Sequence, residues 1–469
     1  YCTDTRGLPP ATVGIIILVS NIINGFSGVV GAWIVDRSPE TRWGKARPYE
    51  LAVLGIWVAT WFLFATPTSL DQTGRTLWVT VWFVAINAVF ATLLNCNDTL
   101  YMARAFPNRN VYAKVAAYSG LITAIGVAVI FISLPIMLSR AGKDPALWAS
   151  TIAIYSVILT ILGVSRGLWV KEEYQTDSSE ELVRFRDMLA MVKANPWIWC
   201  VALYTLLGAI QGGAAVGNYY FRYIVGDLAL AGVLGFANFL IMPLLLVLPW
   251  LMRKLSISRL LMFAQVFAVI GAAIYAVAGG TIPLLVIGGL FLGLSAAPGA
   301  FMTVIMTLDL ATYNESKGQR RLESTLGAIN GIFSRIGGGL GGAIVGFALQ
   351  AANYDGTVDK QAAPAQTAIW ALFALLPLAI GVLNLLVMAF YQRFDRRIMP
   401  PITAEVEARR KAAHDRQASA AIDVDQSGQI EPDELVAPPI LVPTSTGTVV
   451  DMVPELQVGQ VAEDPDDNS

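Results

Sequence analysis

Residues 31–48 read GAWIVDRSPETRWGKARP. The stretch closes one long apolar run, and LAVLGIWVATWFLFA, residues 51–65, opens the next. Arg37, Arg42, Lys45 and Arg47 crowd into the connection. A short cation-rich link between two hydrophobic helices is what holds a loop on the cytoplasmic side of a membrane. Any basic loop would satisfy that charge rule. Asp36-Arg37 followed by Arg42-Trp43-Gly44-Lys45-x-Arg47-Pro48 is more particular than the rule demands. Gly31 lets a neighbouring helix approach, Asp36 sits among cations at a helix end, and Trp43 suits the water–lipid boundary.

Composition agrees with a membrane setting. Of 469 residues, 55% are hydrophobic and 14% charged, with a mean hydropathy of +0.58. A soluble domain carries about 25% charged residues. The apolar runs are long and unbroken, which predicts helices and excludes a barrel of alternating strands. Cys2, Cys96 and Cys200 are too scattered for a disulfide framework or a metal site. The single histidine, His414, excludes a histidine-centred site within the membrane. An enzyme would need catalytic groups clustered in loops that are short here and lack His and Cys. No nucleic-acid partner is expected; the lipid bilayer is.

Apolar stretches at 11–36, 49–66, 77–103, 114–139, 147–170, 197–222, 228–252, 259–278, 282–311, 324–350 and 366–391 are candidate spans of a bilayer about 30 Å thick. Arg104, Arg109 and Lys114 follow the third, Lys171, Arg184, Arg186 and Lys193 the fifth, and Arg253, Lys254 and Arg259 the seventh. Lys317, Arg320 and Arg321 follow the ninth, and Arg393, Arg396 and Arg397 the last. The intervening loops hold only Arg75, Arg140, Lys143 and Lys360. Positive-inside logic therefore puts every second loop and the C-terminus in the cytoplasm, with Tyr1 outside.

The 31–48 motif resembles the loop between the second and third helices of the glycoside–pentoside–hexuronide:cation symporters, the melibiose-carrier group of the major facilitator superfamily. It has one extra residue between Asp36 and Trp43. MTLDLATYNESKGQRRLES (306–324) and GIFSRIGGGLGGAIVG (331–346) resemble the end of that family's tenth helix and its eleventh. YCTDTRGLPPATVG at the start resembles the segment just after its first helix.

The resemblance implies an all-α polytopic plasma-membrane protein with the major facilitator fold. It has two six-helix bundles, eleven spans being present here and the first helix absent. Residues 1–171 would form the first bundle and 172–196 a linker with an amphipathic helix. Residues 197–400 would form the second bundle, and 401–469 a largely disordered cytoplasmic tail. The implied activity is symport of a sugar, glycoside or sugar acid with H⁺ or Na⁺. A lipid or amphiphile carrier of the same fold, or a membrane sensor, is the alternative.

Polar groups inside spans need explanation. Asn21 and Asn24 share a face of the first span, with Ser27 beside them. Asn87, Asn95 and Asp98 follow helical spacing in the third. Such Asn residues either bond between packed helices or bind solute, and Asp98 either pairs with Arg104 or binds a cation. In the symporters, acids in the register of Asn21, Asn24 and Ser27 bind the cation; neutrality here favours a proton, with Asp98 to carry it. Gln211, Asn218 and Arg222 share a face of the sixth span beside Tyr219 and Tyr220, the amide and aromatic mixture a sugar uses. Tyr223 reads as an interfacial anchor. Asp309 matches the family's tenth-helix acid. Arg335 stands where the family has an inward lysine, and Asp98 or Asp309 is its expected partner. Asp36, Arg37, Arg42, Gly44, Lys45, Arg47, Arg320 and Glu323 would form a cytoplasmic gate.

In the tail, DVDQSGQIEPDE fits a calcium-binding EF-hand loop over 423–434. Asp423, Asp425, Ser427, Gln429 and Glu434 stand at ligand positions, and Gly428 at the turn. Pro438 and Pro439 cut short any exiting helix, so an acidic tail that matches by accident is the simpler account. No other cofactor is expected.

Overall fold

Pro10 occupies the first turn of α1 (Pro10–Arg37), where a missing N–H costs no intrahelical bond. The helix stops at Ser38, which turns extended and donates its hydroxyl to the Val35 carbonyl at 2.6 Å. This is a computed structural model in which residues 1–105, 109–172, 195–232, 250–251, 254–317, 323–406 and 408 are described.

A 3₁₀ turn, Arg47–Leu51, leads into α2 (Ala52–Phe64). Then come α3 (Gln72–Val84), α4 (Ala91–Ala105), α5 (Arg109–Ala141) and α6 (Pro145–Trp169). The second half holds α7 (Trp197–Gly213), α8 (Ile257–Ala278), α9 (Ile282–Ser316), α10 (Glu323–Ala351), α11 (Ala363–Trp370) and α12 (Leu376–Arg393). Asp71 and Asp144 cap α3 and α6 by accepting from Gly74 and Ala146.

Among the described residues, seven helical stretches are long and apolar enough to cross a membrane by themselves, and two more apolar segments are shorter. Large side chains such as Ile161, Leu162, Val277 and Leu386 face outward, as a lipid solvent allows. Among the described residues no β-strand forms; Thr41 and Gly44 make one isolated bridge. The predicted helices are all present except 228–252, most of which lies outside the described residues, as do the linker helix, the 423–434 loop and most of the tail. The helices form one contact unit, residues 1–311 and 322–399, while 312–321 group with the chain after Met399.

Two features position the polar groups. A π-turn, Ala85–Phe90, joins α3 to α4. Its wider winding puts Asn87 out of phase with α4, whereas Asn95 and Asp98, three residues apart within α4, still share a face, an exposed one. Asn87 bonds its own helix at Phe83, Asn95 is exposed, and Asn97 is the buried member.

The second feature is α10, which packs along α1 on one side and α7 on the other. Gly339, Gly342 and Gly346 meet α1, and a Cβ on Gly342 would sit 2.7 Å from Ile17. Gly337 and Gly341 meet α7, the former 2.5 Å from the Leu206 carbonyl. In the sequence Gly338 and Gly342, four residues apart, make a small-xxx-small face suited to close packing. Gly338 packs against α7, where a Cβ on Gly213 would sit 2.7 Å from Gly338 Cα, and the stripe toward α1 runs through Gly339.

Candidate transport site

Arg335, in the middle of α10, reaches across to α1. Its Nη1 donates to the Asn24 carbonyl at 2.7 Å and to Asn24 Oδ1. Thr92 of α4 also donates to Asn24 Oδ1 at 3.0 Å, and Ser27 meets the Thr92 hydroxyl at 3.0 Å. Gly31 permits this approach, since a Cβ there would lie 2.9 Å from Thr92 Cγ2. Asn24 and Ser27 of α1 and Thr92 of α4 thus form one hydrogen-bonded chain that meets the Arg335 guanidinium at Asn24, a neutral partner. The acids expected beside Arg335 are elsewhere. Asp309 is half-buried on α9, and Asp98 binds Arg166 at 2.6 Å. Asn21 turns back to the Ile17 carbonyl at 2.9 Å.

A second polar group joins the Arg47–Leu51 turn, α4 and α6. Glu50 is 2% exposed, accepts from Asn97 at 2.9 Å and lies 3.5 Å from Arg166. The other face of Arg166 holds Asp98, which is exposed to solvent, and Asp98 does not pair with Arg104. One cation therefore serves two carboxylates, one buried and one open.

The 31–48 motif forms a carboxylate cradle. Successive backbone N–H groups of Lys45, Ala46 and Arg47 point at the Glu172 carboxylate, at 3.1 Å and 2.8 Å for the first two. Such runs of N–H groups favour anions. Gly44 adopts φ +102°, and a Cβ there would lie 2.5 Å from the carboxylate, so glycine is required twice over. Arg104 bridges Glu172 at 3.3 Å and Glu40 at 3.1 Å. The Arg47 guanidinium caps the end of α6 through the Gly167 and Leu168 carbonyls. These gate residues are therefore bonded within the first half of the chain. Arg42 is exposed, and Arg37 lies over the Trp33 ring at 4.8 Å. The side chains of Asp36 and Glu323, and all of Arg320, lie outside the described residues.

At the opposite helix ends Asp4 gathers a knot. Arg222 and Tyr223 donate to its Oδ2 at 3.1 Å each, and Tyr354 to Oδ1 at 2.5 Å. Thr3 adds Tyr219 at 3.1 Å. Tyr223, expected at the lipid boundary, is buried because Asp4 supplies its hydroxyl with a partner. Asn218, Tyr219 and Arg222 line a cavity of about 130 Å³ beside this knot, and Gln211 faces other cavities deeper in α7. Nearby, Lys143 joins the Thr357 carbonyl at 2.7 Å and Asp359 at 2.8 Å.

A family model described as MFS/sugar transport protein matches residues 1–393. The chain belongs to that family. This transporter is 24% identical to an isoprimeverose transporter of Lactiplantibacillus pentosus, over 87% of its own length and 86% of the relative's. It is 23% identical to a putative sulfoquinovose importer of Salmonella typhimurium, covering 88% of each. Among solved structures, the nucleoside transporter NupG superposes with a TM-score of 0.55 at 16% identity, over 82% and 92% of the two chains. A proton-dependent oligopeptide transporter gives 0.58 at 14%, over 84% and 93%. Those likenesses show the major facilitator fold. The family and these relatives are transporters, not enzymes, and the protein is a multi-pass membrane protein.

Sequence inspection missed four groups in this transporter: Asp4, Glu50, Arg166 and Glu172. Glu50 left a signal, an acid entering the apolar run after Pro48, though the sequence offers Arg47, three residues earlier, as its partner and the structure gives it Arg166. Asp4 and Glu172 left none, since their partners stand far along the chain.

Proposed function

We propose that this protein imports a small sugar, glycoside or sugar acid by cation-coupled symport and alternating access. The observation that carries the reading is the bridge from Arg335 to Asn24, a mid-helix cation resting on neutral oxygens between α10 and α1. A guanidinium inside a membrane is costly unless it serves a partner or a wet cavity. Its five donors suit hydroxyl, carboxylate or sulfonate oxygens of a sugar. Substrate would take over donors now spent on Asn24 and so loosen the contact between the two helices.

The Arg166 group supplies the coupling step in this reading. Protonation at Glu50 or Asp98 would release Arg166 from one carboxylate and free α4 to shift against α6. Asn21, Asn24 and Ser27 are neutral at the register expected for cation-binding acids, so the proton is the favoured ion in this reading. Positive-inside logic assigns the Glu172 cradle and the C-terminus to the cytoplasm, and the Asp4 knot to the outside. The conformation at hand is then closed outside. The names of the relatives support sugar as cargo, and the lipid-carrier and sensor alternatives gain no support.

Uptake into proteoliposomes decides the matter. A panel of pentoses, hexoses, disaccharides, glucuronate and sulfoquinovose is presented under an imposed proton gradient or sodium gradient. Accumulation of one member under the proton gradient is expected. Equal accumulation with neither gradient, or none for any sugar, removes the proposal.

A further inference from the structure

Within the second half, α7, α8, α9 and α12 surround a cavity of about 450 Å³ that the Arg335 group does not touch. Tyr204, Thr205, Gly208, Gln211 and Gly212 come from α7 and Gln265 from α8; Ser295, Gly299 and Thr303 come from α9 and Asn384 from α12. Its size falls among small-molecule sites, about 300–1,000 Å³, and far exceeds what an ion needs. Among the described residues no carboxylate, ammonium or guanidinium lines it.

The wall has a definite hydrogen-bonding bias. Thr205, Ser295 and Thr303 spend their hydroxyl protons on the carbonyls of Val201, Leu292 and Gly299, leaving oxygen lone pairs over. Asn384 is 3% exposed, and among the described residues its buried Oδ1 has no hydrogen-bond partner. An orphaned buried acceptor costs about 1–3 kcal/mol, so its position needs a donor. Gln265, also buried, donates to the Tyr204 hydroxyl at 3.3 Å, which keeps that phenol's own proton for a further partner. Hydroxyl oxygens that accept, amide groups of Gln211, Gln265 and Asn384 that both donate and accept, one phenol and no charged group among the described lining describe a receptor for vicinal hydroxyl groups.

The glycines mark where the space lies. A Cβ on Gly208 or Gly212 would meet nothing within 4 Å, so both open directly on the void. A Cβ on Gly299 would lie 2.9 Å from the Tyr204 hydroxyl, so glycine there lets the phenol stand against α9.

We infer that this cavity binds a neutral sugar ring, at a site distinct from the Arg335–Asn24 bridge. The inference rests on the transport reading for its physiological ligand, but its test does not. The protein carries Thr303→Cys, with Cys2, Cys96 and Cys200 changed to alanine, and is reconstituted in vesicles. Maleimide labelling is followed with xylose, glucose, galactose, lactose or glucuronate present. At least one neutral sugar is expected to slow labelling about tenfold, the occupancy change produced by roughly 1.4 kcal/mol, while glucuronate has no effect. Gly208→Leu fills the void without a backbone clash, so the folded variant should lose that protection. Asn384→Leu, which removes the orphaned oxygen, should fold at least as stably as the parent and still weaken protection.

Protection without uptake of any sugar would leave the cavity assignment standing and remove the transport reading. Uptake with labelling insensitive to the transported sugar would do the reverse. No protection by any neutral sugar, or protection that survives Gly208→Leu, identifies a cavity that holds water only and overturns the assignment.

Discussion

At the scale of single residues, Arg335 is the most consequential side chain. It and Asn24 were both legible in the sequence as polar groups inside apolar runs, but their pairing was not. Helical spacing tells which residues share a face, not which helix lies opposite. Asp98 was therefore the natural acid to assign to Arg335, and Arg166, far along the chain, holds it instead. Arg335→Gln keeps a hydrogen bond to Asn24 and removes the charge. It is expected to insert normally and to lower the initial rate of uptake at least about tenfold, whereas Arg335→Lys keeps a measurable fraction. Uptake by the glutamine variant at the parent rate would take Arg335 out of the mechanism. Asp98→Asn leaves Arg166 with Glu50 alone. Net accumulation driven by a proton gradient is expected to fall while sugar exchange persists, and unchanged accumulation would move the proton to Glu50.

At the scale of elements, apolar run lengths and alternating loop charge sufficed to place the described helices within a few residues. Two things escaped that method. The π-turn at Ala85–Phe90 leaves no compositional mark, yet it puts Asn87 out of phase with α4, and helical spacing alone does not tell that Asn97 rather than Asn95 is buried. The glycine stripe was visible, but which glycines meet which neighbour depends on the rotation of α10 about its axis. A matched pair tests the packing. Gly346→Ala brings a Cβ against the backbone of α1 at Pro10 and Gly14, which a helix can relieve only by moving. Overpacking of this kind costs about 1–3 kcal/mol. Gly327→Ala, on the same helix and facing open space, is expected to stabilise by about 0.5–1 kcal/mol. Thermal unfolding in detergent should lower the midpoint for the first and raise it for the second; equal shifts would contradict the described α1–α10 contact.

At the scale of the whole molecule, the fold was legible from motif and hydropathy together, while the state of its two ends was not. Closure at the Asp4 end rests on contacts between residues more than two hundred positions apart. Lys143 adds an exposed tie, and its ammonium beside Asp359 holds that carboxyl below the ordinary value of 3.8. A carboxyl depressed in the folded state stabilises above its ordinary value and loses that contribution as pH falls through the depressed one. Spin labels at Thr68 and Thr357 should therefore keep a short separation at neutral pH and lengthen below about pH 3.8, and less so in Asp359→Asn. A separation that ignores pH would show that this tie carries no part of the closure.

The knot at Asp4 also has a kinetic signature. One carboxylate holds Arg222, Tyr223 and Tyr354 together, so opening must release three donors in a single step. A step of that kind has a large activation enthalpy, offset by the freedom the released side chains regain. Turnover limited by it would climb steeply on warming, and Asp4→Asn would flatten that climb, overtaking the parent in the cold and losing its lead as the temperature rises.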